Sequence, residues 1–460
     1  MISMSGSKLN MNNLEDVRKS LNSRALQVCV VGIGRIGLPT ALSFAKSGLP
    51  TIGVDINENL VRTIDSGTFP LEDEPGYEEI FNDVIKNKVF SATTKIEEAV
   101  PNSDLILLSL PTPMDENNVP DYSALRSAAS KLSEILSPNS LVIVESTIEP
   151  GFIEDEMISI ISKTGRLKIG ENFFIGVCPE NANPGEILHD FTNLPRLIAG
   201  INDDVTKIIE VIYKFVFPVE LVEMPNCKTA NAVKLTTNVF RDINIAFVSE
   251  LSLMFEKLGI DTMKVLDAAK KKYNFQVHYP GSGVGGPCLP INSYQLLNTA
   301  RRTGTKLNIV ESGRKINEKM PDHVIELTSD AFKECNKSIQ NSEILILGIS
   351  YKPNVKDIQF SPAEHIIKKF QKLGASVYIY DPNFASSEVF GIKCEENLDD
   401  ILSKMDAAVI VTGHDDFKKI DISSFAKMKT PILIDTRGII EPQSVKHHNI
   451  IFRGLGRGDF

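Results

Sequence analysis

The 460-residue sequence contains no tryptophan, and only 7% of its residues are aromatic. Nowhere does an apolar run reach the ~18 residues that a membrane-spanning helix requires, which argues against an integral membrane protein. The N-terminus also lacks the basic segment, apolar core and small-residue cleavage site of a secretion signal. We therefore expect a cytoplasmic protein that does not associate with membranes.

Basic residues are in deficit, because 49 Lys and Arg residues stand against 59 Asp and Glu residues and the formal net charge is -10. Such a balance argues against nucleic acid as the main ligand, although a local basic pocket for a phosphorylated metabolite is compatible with it. Cysteine is sparse, with six residues and no CxxC pair. That spacing indicates neither a zinc site nor a disulfide framework and is typical of a reducing compartment. We expect no bound metal.

Short apolar runs alternate with helical patterns in two separate parts of the chain. A polar N-terminal extension, with one short helix suggested at residues 13–21, precedes the first part. Uninterrupted apolar strands between helices are typical of a parallel sheet that is covered on both faces. The predicted strands are residues 27–31, 51–55, 105–110, 141–145 and 173–177 in the first part, and 343–349, 376–380, 407–411 and 431–435 in the second.

One long amphipathic helix is predicted between these two parts, from residue 226 to residue 258. Its apolar residues recur at spacings of three and four and therefore share one face. They are Phe240, Ile243, Phe247, Leu251 and Met254. Helical patterns continue to about residue 322, interrupted by a glycine-rich loop at 281–286. The predicted fold class is α/β, with two Rossmann-like parallel-sheet domains joined by a central helical segment.

A glycine-rich turn with the spacing Gly-x-Gly-x-x-Gly follows the first predicted strand and opens a helix. Gly32 would permit the tight turn, Gly34 would let the backbone approach a pyrophosphate, and Gly37 would allow close packing of the helix. Asp55 ends the next strand, where its carboxylate can accept both ribose hydroxyls and would repel a 2′-phosphate. This context predicts NAD as the cofactor, and the alternative is a glycine turn in an unrelated α/β protein. The predicted contacts are Gly32, Ile33, Gly34, Arg35, Ile36, Gly37 and Asp55.

A second glycine-rich loop runs from Gly281 and ends in Cys288. Glycines permit positive φ and remove side-chain bulk, so that a ligand can lie against the backbone. A thiol in such a loop could attack an aldehyde to give a thiohemiacetal, whose oxidation yields a thioester that water hydrolyses. The alternative is a buried cysteine that packs as a small hydrophobic residue, which is the usual fate of a free thiol.

Lys234 and Asn238 are four residues apart on the predicted long helix and therefore project from one face. A lysine can stabilise a developing alkoxide, and an amide can donate to an oxyanion. Taken alone, such a pair is more often part of a solvated face. Together with Cys288, it favours an oxidation that passes through a covalent intermediate.

These motifs resemble those of the UDP-glucose/GDP-mannose dehydrogenase family, and especially its branch that acts on UDP-N-acetylhexosamines. The resemblance covers roughly residues 27–458 and is carried by several ordered motifs at the family's spacing. They are GIGRIGLPTA (32–41), LPTP (110–113), ESTIEPG (145–151), CPENANPGE (178–186), KLTTNVFRDINIAF (234–247), GSGVGGPC (281–288), GISYKPNVKDIQFSP (348–362) and DTRG (435–438).

The resemblance implies a two-step, four-electron oxidation of the C6 alcohol of a UDP-sugar to a carboxylate, with two NAD reduced per sugar. It also implies a homodimer and four segments, which are an N-terminal extension (1–24), an NAD-binding Rossmann domain (25–222), a central helical dimerisation domain (223–325) and a C-terminal UDP-sugar-binding Rossmann-like domain (326–460). UDP-N-acetyl-D-mannosamine is the favoured substrate, with UDP-N-acetylglucosamine and UDP-glucose as alternatives. A two-electron dehydrogenase of the hydroxyacid type and a catalytically weak UDP-sugar-binding homologue are the competing functions.

Carried over position by position, the resemblance makes Cys288 the covalent nucleophile, while Lys234 and Asn238 hold the substrate and stabilise oxyanions. Glu180 and Thr147 would assist proton transfer and place the hydrolytic water. The further residues expected at the cofactor are Thr112, Ser146 and Gln359. Those expected at the UDP-sugar are Tyr279, Gly281, Gly283, Gly285, Arg241, Tyr351, Lys352 and Arg437. The plainer alternative for the charged ones is an ordinary surface position.

The sequence departs from the family pattern at four positions. Asn292 stands where the family usually has an aspartate that assists the thiol and the hydrolytic water, and an amide cannot serve as a base. Gln359 replaces an arginine that usually contacts NAD. Asn181 replaces an arginine, and Pro287 a histidine, of the acetylhexosamine branch. None of these changes removes Cys288.

Overall fold

The structure of the protein is a computed structural model that describes Leu9, Met11 and residues 13–458. The chain folds into two compact units. The first comprises the described residues up to Thr236 together with Tyr294–Thr299, and the second comprises Thr237–Ser293 and the described residues from Ala300 onward. Residues 1–8, 10 and 12 of the expected extension lie outside the described residues. The four-segment division expected from the sequence stays a prediction.

The described part of the first unit contains a sheet with helices around it. Its strands are β1 (Val28–Val31), β2 (Thr51–Val54), β3 (Phe90–Thr93), β4 (Leu105–Leu108), β5 (Ser140–Val144), β6 (Phe173–Val177), β7 (Arg196–Gly200) and β8 (Leu221–Glu223). Its helices are α1 (Leu14–Asn22), α2 (Gly37–Lys46), α3 (Glu58–Asp65), α4 (Tyr77–Lys86), α5 (Ile96–Ala99), α6 (Ser123–Ile135), α7 (Ile158–Ser162), α8 (Ile187–Asn193) and α9 (Asp203–Val216). The five strands predicted here and the short helix at 13–21 are confirmed.

The eight strands form one sheet in the order β3-β2-β1-β4-β5-β6-β7-β8, and each neighbouring pair is parallel except β6 and β7. Strand β1 shows where the core lies. Val28 and Val30 belong to one buried hydrophobic cluster, whereas Cys29 and Val31 belong to another. Because alternate side chains point to opposite faces of a sheet, both faces are covered by apolar packing.

Two long helices, α10 (Cys227–Lys257) and α12 (Leu289–Arg302), contribute residues to both units. The remaining helices of the second unit are α11 (Thr262–Ala269), α13 (Asn308–Glu334), α14 (Pro362–Lys372), α15 (Leu398–Leu402) and α16 (Pro442–Val445). Its strands are β9 (Glu343–Leu347), β10 (Ser376–Tyr380), β11 (Glu388–Val389), β12 (Ile392–Lys393), β13 (Ala407–Ile410), β14 (Ile432–Asp435) and β15 (Ile451–Gly454). The predicted long helix is confirmed by α10.

The second sheet has the order β10-β9-β13-β14-β15 and is parallel throughout, while β11 and β12 form a separate antiparallel hairpin. In both sheets the strand order reverses beside the first strand, β1 in the first unit and β9 in the second. Ligands of such sheets bind outside the carboxyl ends of the strands at this reversal. The α/β fold with two Rossmann-like sheets and a helical centre is therefore confirmed. Across the described residues, every helix is too short or too polar to span a bilayer.

Candidate active site

The glycine-rich turn after β1 uses its three glycines in different ways. Gly32 has a φ of +87° and its N–H donates to the Val54 carbonyl at 2.7 Å. A Cβ on Gly32 would lie 2.5 Å from the Ser109 carbonyl oxygen, and a Cβ on Gly37 would collide with the Gly32 carbonyl. A Cβ on Gly34 would have no neighbour within 4 Å. Two glycines therefore serve the protein's own backbone, and Gly34 leaves open space for a ligand.

Asp55 lies at the carboxyl end of β2 and holds the glycine turn. Its Oδ2 accepts the Ile33 N–H at 3.0 Å, and its Oδ1 accepts the Asn57 N–H at 2.9 Å. Each carboxylate oxygen keeps a second lone pair, and the side chain remains partly exposed. The carboxylate can therefore still accept hydrogen bonds from the two hydroxyls of a ribose.

Arg35, expected at the cofactor, is engaged by two acidic side chains. Its guanidinium pairs with Asp73 at 2.8 Å and with Glu74 at 2.9 Å, and the Glu74 carboxylate in turn accepts the Gly185 N–H at 2.8 Å. Burial raises the pKa of Glu74, although the Gly185 N–H and Arg35 act against that rise. Arg35 thus ties the turn to two neighbouring loops. Ile36 packs against the apolar core beside it.

The loops after β4 and β5 bring three expected residues together. The Ser146 hydroxyl donates to the Leu110 carbonyl at 2.7 Å and accepts the Leu110 N–H at 2.8 Å. Thr112 donates its hydroxyl to the Thr147 carbonyl at 3.0 Å. The amide of Gln295 donates to the same carbonyl at 3.1 Å, a contact that the sequence did not suggest. The backbone of Thr147 is therefore held from two sides.

Glu180 follows β6 and is the anchor of a tight hydrogen-bonded turn. One oxygen accepts the N–H groups of Asn181 and Ala182 at 2.6 and 2.7 Å, and the other accepts from Arg196 at 3.2 Å. Burial disfavours the charge of Arg196, but Glu180 and the other acidic groups around it raise the pKa of the guanidinium. Glu180 is therefore held in one orientation as one half of an ion pair.

Another carboxylate, Glu145, lies buried at the end of β5 near this pair. It accepts a hydrogen bond from the Tyr213 hydroxyl at 2.8 Å. Burial raises the pKa of Glu145 to about 7, Arg196 acting against the rise and Glu180 adding to it. Glu145 is therefore a group that exchanges a proton near neutral pH, and no sequence motif had marked it for that property.

In the second unit, Cys288 directly precedes helix α12 and is the exposed one of the six cysteines. The alternative of a buried hydrophobic cysteine is therefore wrong. Four of the other cysteines are buried and Cys335 is partly exposed. The Cys288 thiol can therefore be reached by a ligand from solvent.

Asn238 on α10 and Asn292 on α12 are hydrogen-bonded to each other in the interior. The Asn238 amide donates to the Asn292 carbonyl oxygen at 2.5 Å, and 8% and 3% of the two residues are exposed. The Asn292 N–H donates to the Cys288 carbonyl at 2.9 Å. The departure from the family pattern at position 292 therefore does not leave an empty site, since the amide occupies it as a hydrogen-bond acceptor. Lys234 lies one turn before Asn238 on α10 and is also buried.

A buried ionic network supports this pair from one helical turn away. The Asp242 carboxylate accepts from Ser293 and Arg314, both at 2.8 Å, and from the Asn317 amide at 2.8 Å. Burial raises the pKa of Asp242, and Arg314 and the two hydrogen-bond donors act against that rise. Because the four residues come from α10, α12 and α13, the network fixes these helices to each other. Asp242 is 51 to 75 positions away from its three partners in the sequence, and no local pattern marks them.

The second glycine loop packs against the protein itself. A Cβ on Gly281 would collide with the Arg437 guanidinium, and one on Gly285 would collide with the Phe360 carbonyl. Gly283 has a φ of +129°, and its Cβ would lie 3.3 Å from three atoms of neighbouring residues. The Gly286 N–H donates to the Gln359 carbonyl at 2.9 Å. These glycines therefore bring the loop close to the residues after β9 and β14, a role that differs from the expected one of lying against a ligand.

The residues expected at the UDP-sugar lie at the carboxyl ends of the second sheet or on exposed segments. Tyr351 and Lys352 follow β9, and Arg437 follows β14. Burial lowers the pKa of Arg437, and the charge of Asp435 acts against that shift. Tyr279 and Arg241 are exposed.

Gln359, expected at the cofactor, is exposed and belongs to the second unit, whereas the turn at Gly32 belongs to the first. No group of His, Cys, Asp and Glu side chains in the described residues could hold a metal ion.

Comparison with known proteins matches three family models along the chain, all from the UDP-glucose/GDP-mannose dehydrogenase family. They are the NAD binding domain at residues 26–217, the central domain at 228–319 and the UDP binding domain at 345–442.

Among curated proteins, the chain is similar to the UDP-N-acetyl-D-mannosamine dehydrogenase of Pyrococcus horikoshii, with 32% identity over 435 residues, 94% of this chain and 100% of that protein. It is similar to the UDP-N-acetyl-D-glucosamine 6-dehydrogenase of Salmonella typhi, with 29% identity over 421 residues, 90% of this chain and 96% of that protein. Among solved structures, the P. horikoshii UDP-D-ManNAc dehydrogenase matches with a TM-score of 0.88 and 31% identity, covering 95% and 100% of the two chains.

Proposed function

Because the chain belongs to the UDP-glucose/GDP-mannose dehydrogenase family and is an NAD-dependent UDP-sugar dehydrogenase, we propose that it oxidises the C6 alcohol of UDP-N-acetyl-D-mannosamine to the carboxylate. The observation that carries the proposal is Cys288, an exposed thiol that directly precedes α12, the helix that also carries Asn292. The P. horikoshii relative supports the choice of sugar. UDP-N-acetylglucosamine is the second candidate, supported by the S. typhi relative.

The first unit fits the cofactor at the turn after β1. The open space above Gly34 and the N-terminus of α2 suit a pyrophosphate, while Asp55 suits an unphosphorylated ribose and therefore NAD. Thr112 and Ser146, on the loops at the neighbouring strand ends, would complete the pocket. When bound, each NAD accepts one hydride from the sugar carbon.

The sulfur of Cys288 accounts for an oxidation that continues past the aldehyde. In the first step the C6 alcohol loses a hydride and a proton and becomes an aldehyde. The thiol then adds across the carbonyl, forming the S–C bond of a thiohemiacetal. Loss of a second hydride and the hydroxyl proton gives a thioester, and water breaks the S–C bond to release the carboxylate and the thiol. Two NAD are reduced for each sugar oxidised.

The buried groups on α10 supply charge and hydrogen bonds for these steps. Lys234 would stabilise the alkoxide of the alcohol and of the thiohemiacetal, and the Asn238 amide would donate to the same oxygen. Asn292 orients the Asn238 amide through their hydrogen bond. Glu180 and Thr147 would place the hydrolytic water, and the ion pair with Arg196 holds the Glu180 carboxylate in position for that task.

The nucleotide would be held at the carboxyl ends of the second sheet. Arg437 follows β14 at this edge of the sheet, and its guanidinium would pair with a diphosphate. Tyr351 and Lys352, after β9, would contact the rest of the nucleotide. The glycine loop from Gly281 packs close to these residues and would form one wall of this site.

A homodimer is the assembly that α10 favours. Phe240, Phe247 and Met254 lie on one face of this helix with 47%, 49% and 47% of their surfaces exposed. Exposed aromatic residues clustered in this way are typical of protein interfaces. We expect Phe247→Glu to convert a dimer into a monomer in light scattering. The control is Leu373→Glu, which changes a residue of similar exposure, 46%, at the end of α14 and should leave the dimer intact.

The deciding experiment counts the NADH formed per UDP-sugar consumed, over a panel of UDP-N-acetylmannosamine, UDP-N-acetylglucosamine and UDP-glucose. Two NADH per sugar are expected, with the highest kcat/KM for the mannosamine derivative. One NADH would indicate a two-electron dehydrogenase, and binding without NADH would indicate a UDP-sugar-binding homologue. Cys288→Ser should abolish uronate production and keep the binding of NAD and UDP-sugar, whereas the control Cys335→Ser should retain full turnover. Normal turnover by Cys288→Ser would refute the thioester route.

We also infer that the enzyme works in the cytoplasm, since its six cysteines are unpaired and suit a reducing compartment.

A further inference from the structure

A buried histidine lies behind the loop that follows β9 and takes no part in the chemistry above. His414 is 1% exposed, and its Nε2 lies 3.0 Å from the Asp381 carboxylate and 3.2 Å from the Ser350 hydroxyl. Its Nδ1 lies 3.0 Å from the backbone nitrogen of Asn354. The ring also packs edge-on against Phe417, with 5.2 Å between the ring centroids. One imidazole thus contacts both ends of the segment from Ser350 to Asn354.

The hydrogen bonds define the state of this imidazole. The Asn354 N–H can only donate, so Nδ1 must accept and the ring proton must lie on Nε2. The Nε2–H then donates to Asp381, which has no exposed surface. Burial alone would raise the pKa of Asp381, but the hydrogen bonds from His414 and from two backbone N–H groups lower it below its ordinary value. His414 therefore bridges a core carboxylate and the backbone of the loop.

Asp381 repeats the position of Asp55 in the other sheet. Each carboxylate follows the strand next to the reversal. Each accepts the N–H of the residue after a positive-φ glycine and the N–H of the residue two positions after the aspartate itself, at 2.9 to 3.0 Å. Asp55 remains partly exposed, whereas Asp381 is fully buried and covered by His414. The second sheet therefore has a glycine turn and an aspartate arranged like those of the dinucleotide site in the first sheet. Its aspartate, Asp381, binds the loop after β9 and is not open to a ribose.

The loop held in this way carries Tyr351 and Lys352. Thr412 donates its hydroxyl to the Ser350 carbonyl and fixes the same end of the loop. A Cβ on Gly286 would lie 2.7 Å from the Tyr351 ring, so the glycine loop depends on where that ring stands. We propose that His414 is a positioning residue that sets the loop from Ser350 to Asn354 and thereby the affinity for the nucleoside diphosphate part of the substrate. This inference rests on the proposed binding of the nucleotide at Tyr351 and Lys352.

The test compares three variants of the full-length enzyme. His414→Phe keeps a ring against Phe417 and removes both hydrogen bonds. His414→Asn places an amide oxygen near the position of Nδ1 and keeps the bond to Asn354, while His414→Gln places its amide near Nε2 and keeps the contact with Asp381. The dissociation constant of UDP is measured by calorimetry, and KM and kcat are measured for UDP-sugar and NAD. Far-UV circular dichroism checks the fold.

His414→Phe and His414→Gln are expected to raise the UDP dissociation constant and the UDP-sugar KM by about tenfold, the effect of losing a hydrogen bond to a buried group. The kcat and the KM for NAD should stay within about twofold of wild type, and His414→Asn should restore most of the UDP affinity. Equal UDP affinity in all variants, or equal weakening by Asn and Gln, would overturn the proposal. If His414→Phe does not fold, the Asn and Gln pair decides it. A wild-type enzyme that binds no UDP would instead overturn the proposed function.

Discussion

Replacing Asp242 by asparagine is expected to destabilise the second unit by about 3 kcal/mol. Its carboxylate lies 2.8 Å from Arg314, and the two side chains are 1% and 5% exposed. Breaking a buried ion pair on one side costs roughly 3–5 kcal/mol, because the remaining charge stays in the interior without its partner. Glu318 lies 3.3 Å from the same guanidinium and is 44% exposed, so it offsets part of that cost. The loss therefore belongs at the lower end of the range.

A double-mutant cycle with Arg314→Met tests whether the loss of stability comes from the broken ion pair between Asp242 and Arg314. Since both charges are absent from the double variant, its loss should be smaller than the sum of the two single losses by about 2 kcal/mol or more. The protein has no tryptophan, so urea unfolding is followed by far-UV circular dichroism, and hydrogen exchange of α10, α12 and α13 localises the effect. Asp330→Asn is the control, because its ion pair with Lys333 is 65% and 71% exposed and is worth under about 1 kcal/mol. Additive losses, or a loss no larger than the control's, would refute the reasoning.

Three further predictions concern the two sites. Because burial raises the pKa of Glu145 from 4.5 to about 7, its contribution to stability is complete below about pH 4.5 and is lost as the pH rises through 7. Glu145→Gln should remove that decline, about 3 kcal/mol, from urea unfolding curves measured at pH 4 and pH 8. Gly34→Ala should leave the midpoint of thermal unfolding unchanged and weaken NAD binding in calorimetry, whereas Gly37→Ala should lower that midpoint. Equal midpoints of the two variants would contradict the conclusion that only Gly37 is closely packed against the protein. Asn292→Asp should retain the hydrogen bond to Asn238 and supply a base. Thioester hydrolysis in single-turnover experiments should then become about 10²-fold faster. An unchanged rate would count against a hydrolytic role at this position.

The sequence predicted most of the strands because strands buried on both faces are apolar at nearly every position. Strands β1, β4 and β13, which contain only apolar residues, could be found in this way. Strand β7 was not predicted, and its first residue, Arg196, reads as a surface residue. In the fold its charge is paired with Glu180, 16 positions earlier, and no local pattern records that pairing.

The candidate sites were predicted to the extent that they are local in sequence. The turn at Gly32 and the loop ending in Cys288 are each continuous motifs. The Asp242 network joins residues 51 to 75 positions apart, and the bond between His414 and Asp381 spans 33 positions. The position of Asp381 could have been recognised from the sequence, since it lies at the end of the strand after a glycine turn just as Asp55 does. The close packing around Gly281 and Gly285 could not be predicted, because it depends on side chains more than 60 positions away.

The uneven exposure of the six thiols determines which of them reacts first with an oxidant or an alkylating reagent. An oxidant such as hydrogen peroxide would meet Cys288 first, since four of the others are sealed in the core. Under the proposed thioester route, sulfenic acid formed there would inactivate the enzyme without unfolding it, and a reductant would restore activity. An alkylating label applied in stoichiometric amount should therefore titrate active sites, giving a count of competent molecules in any preparation.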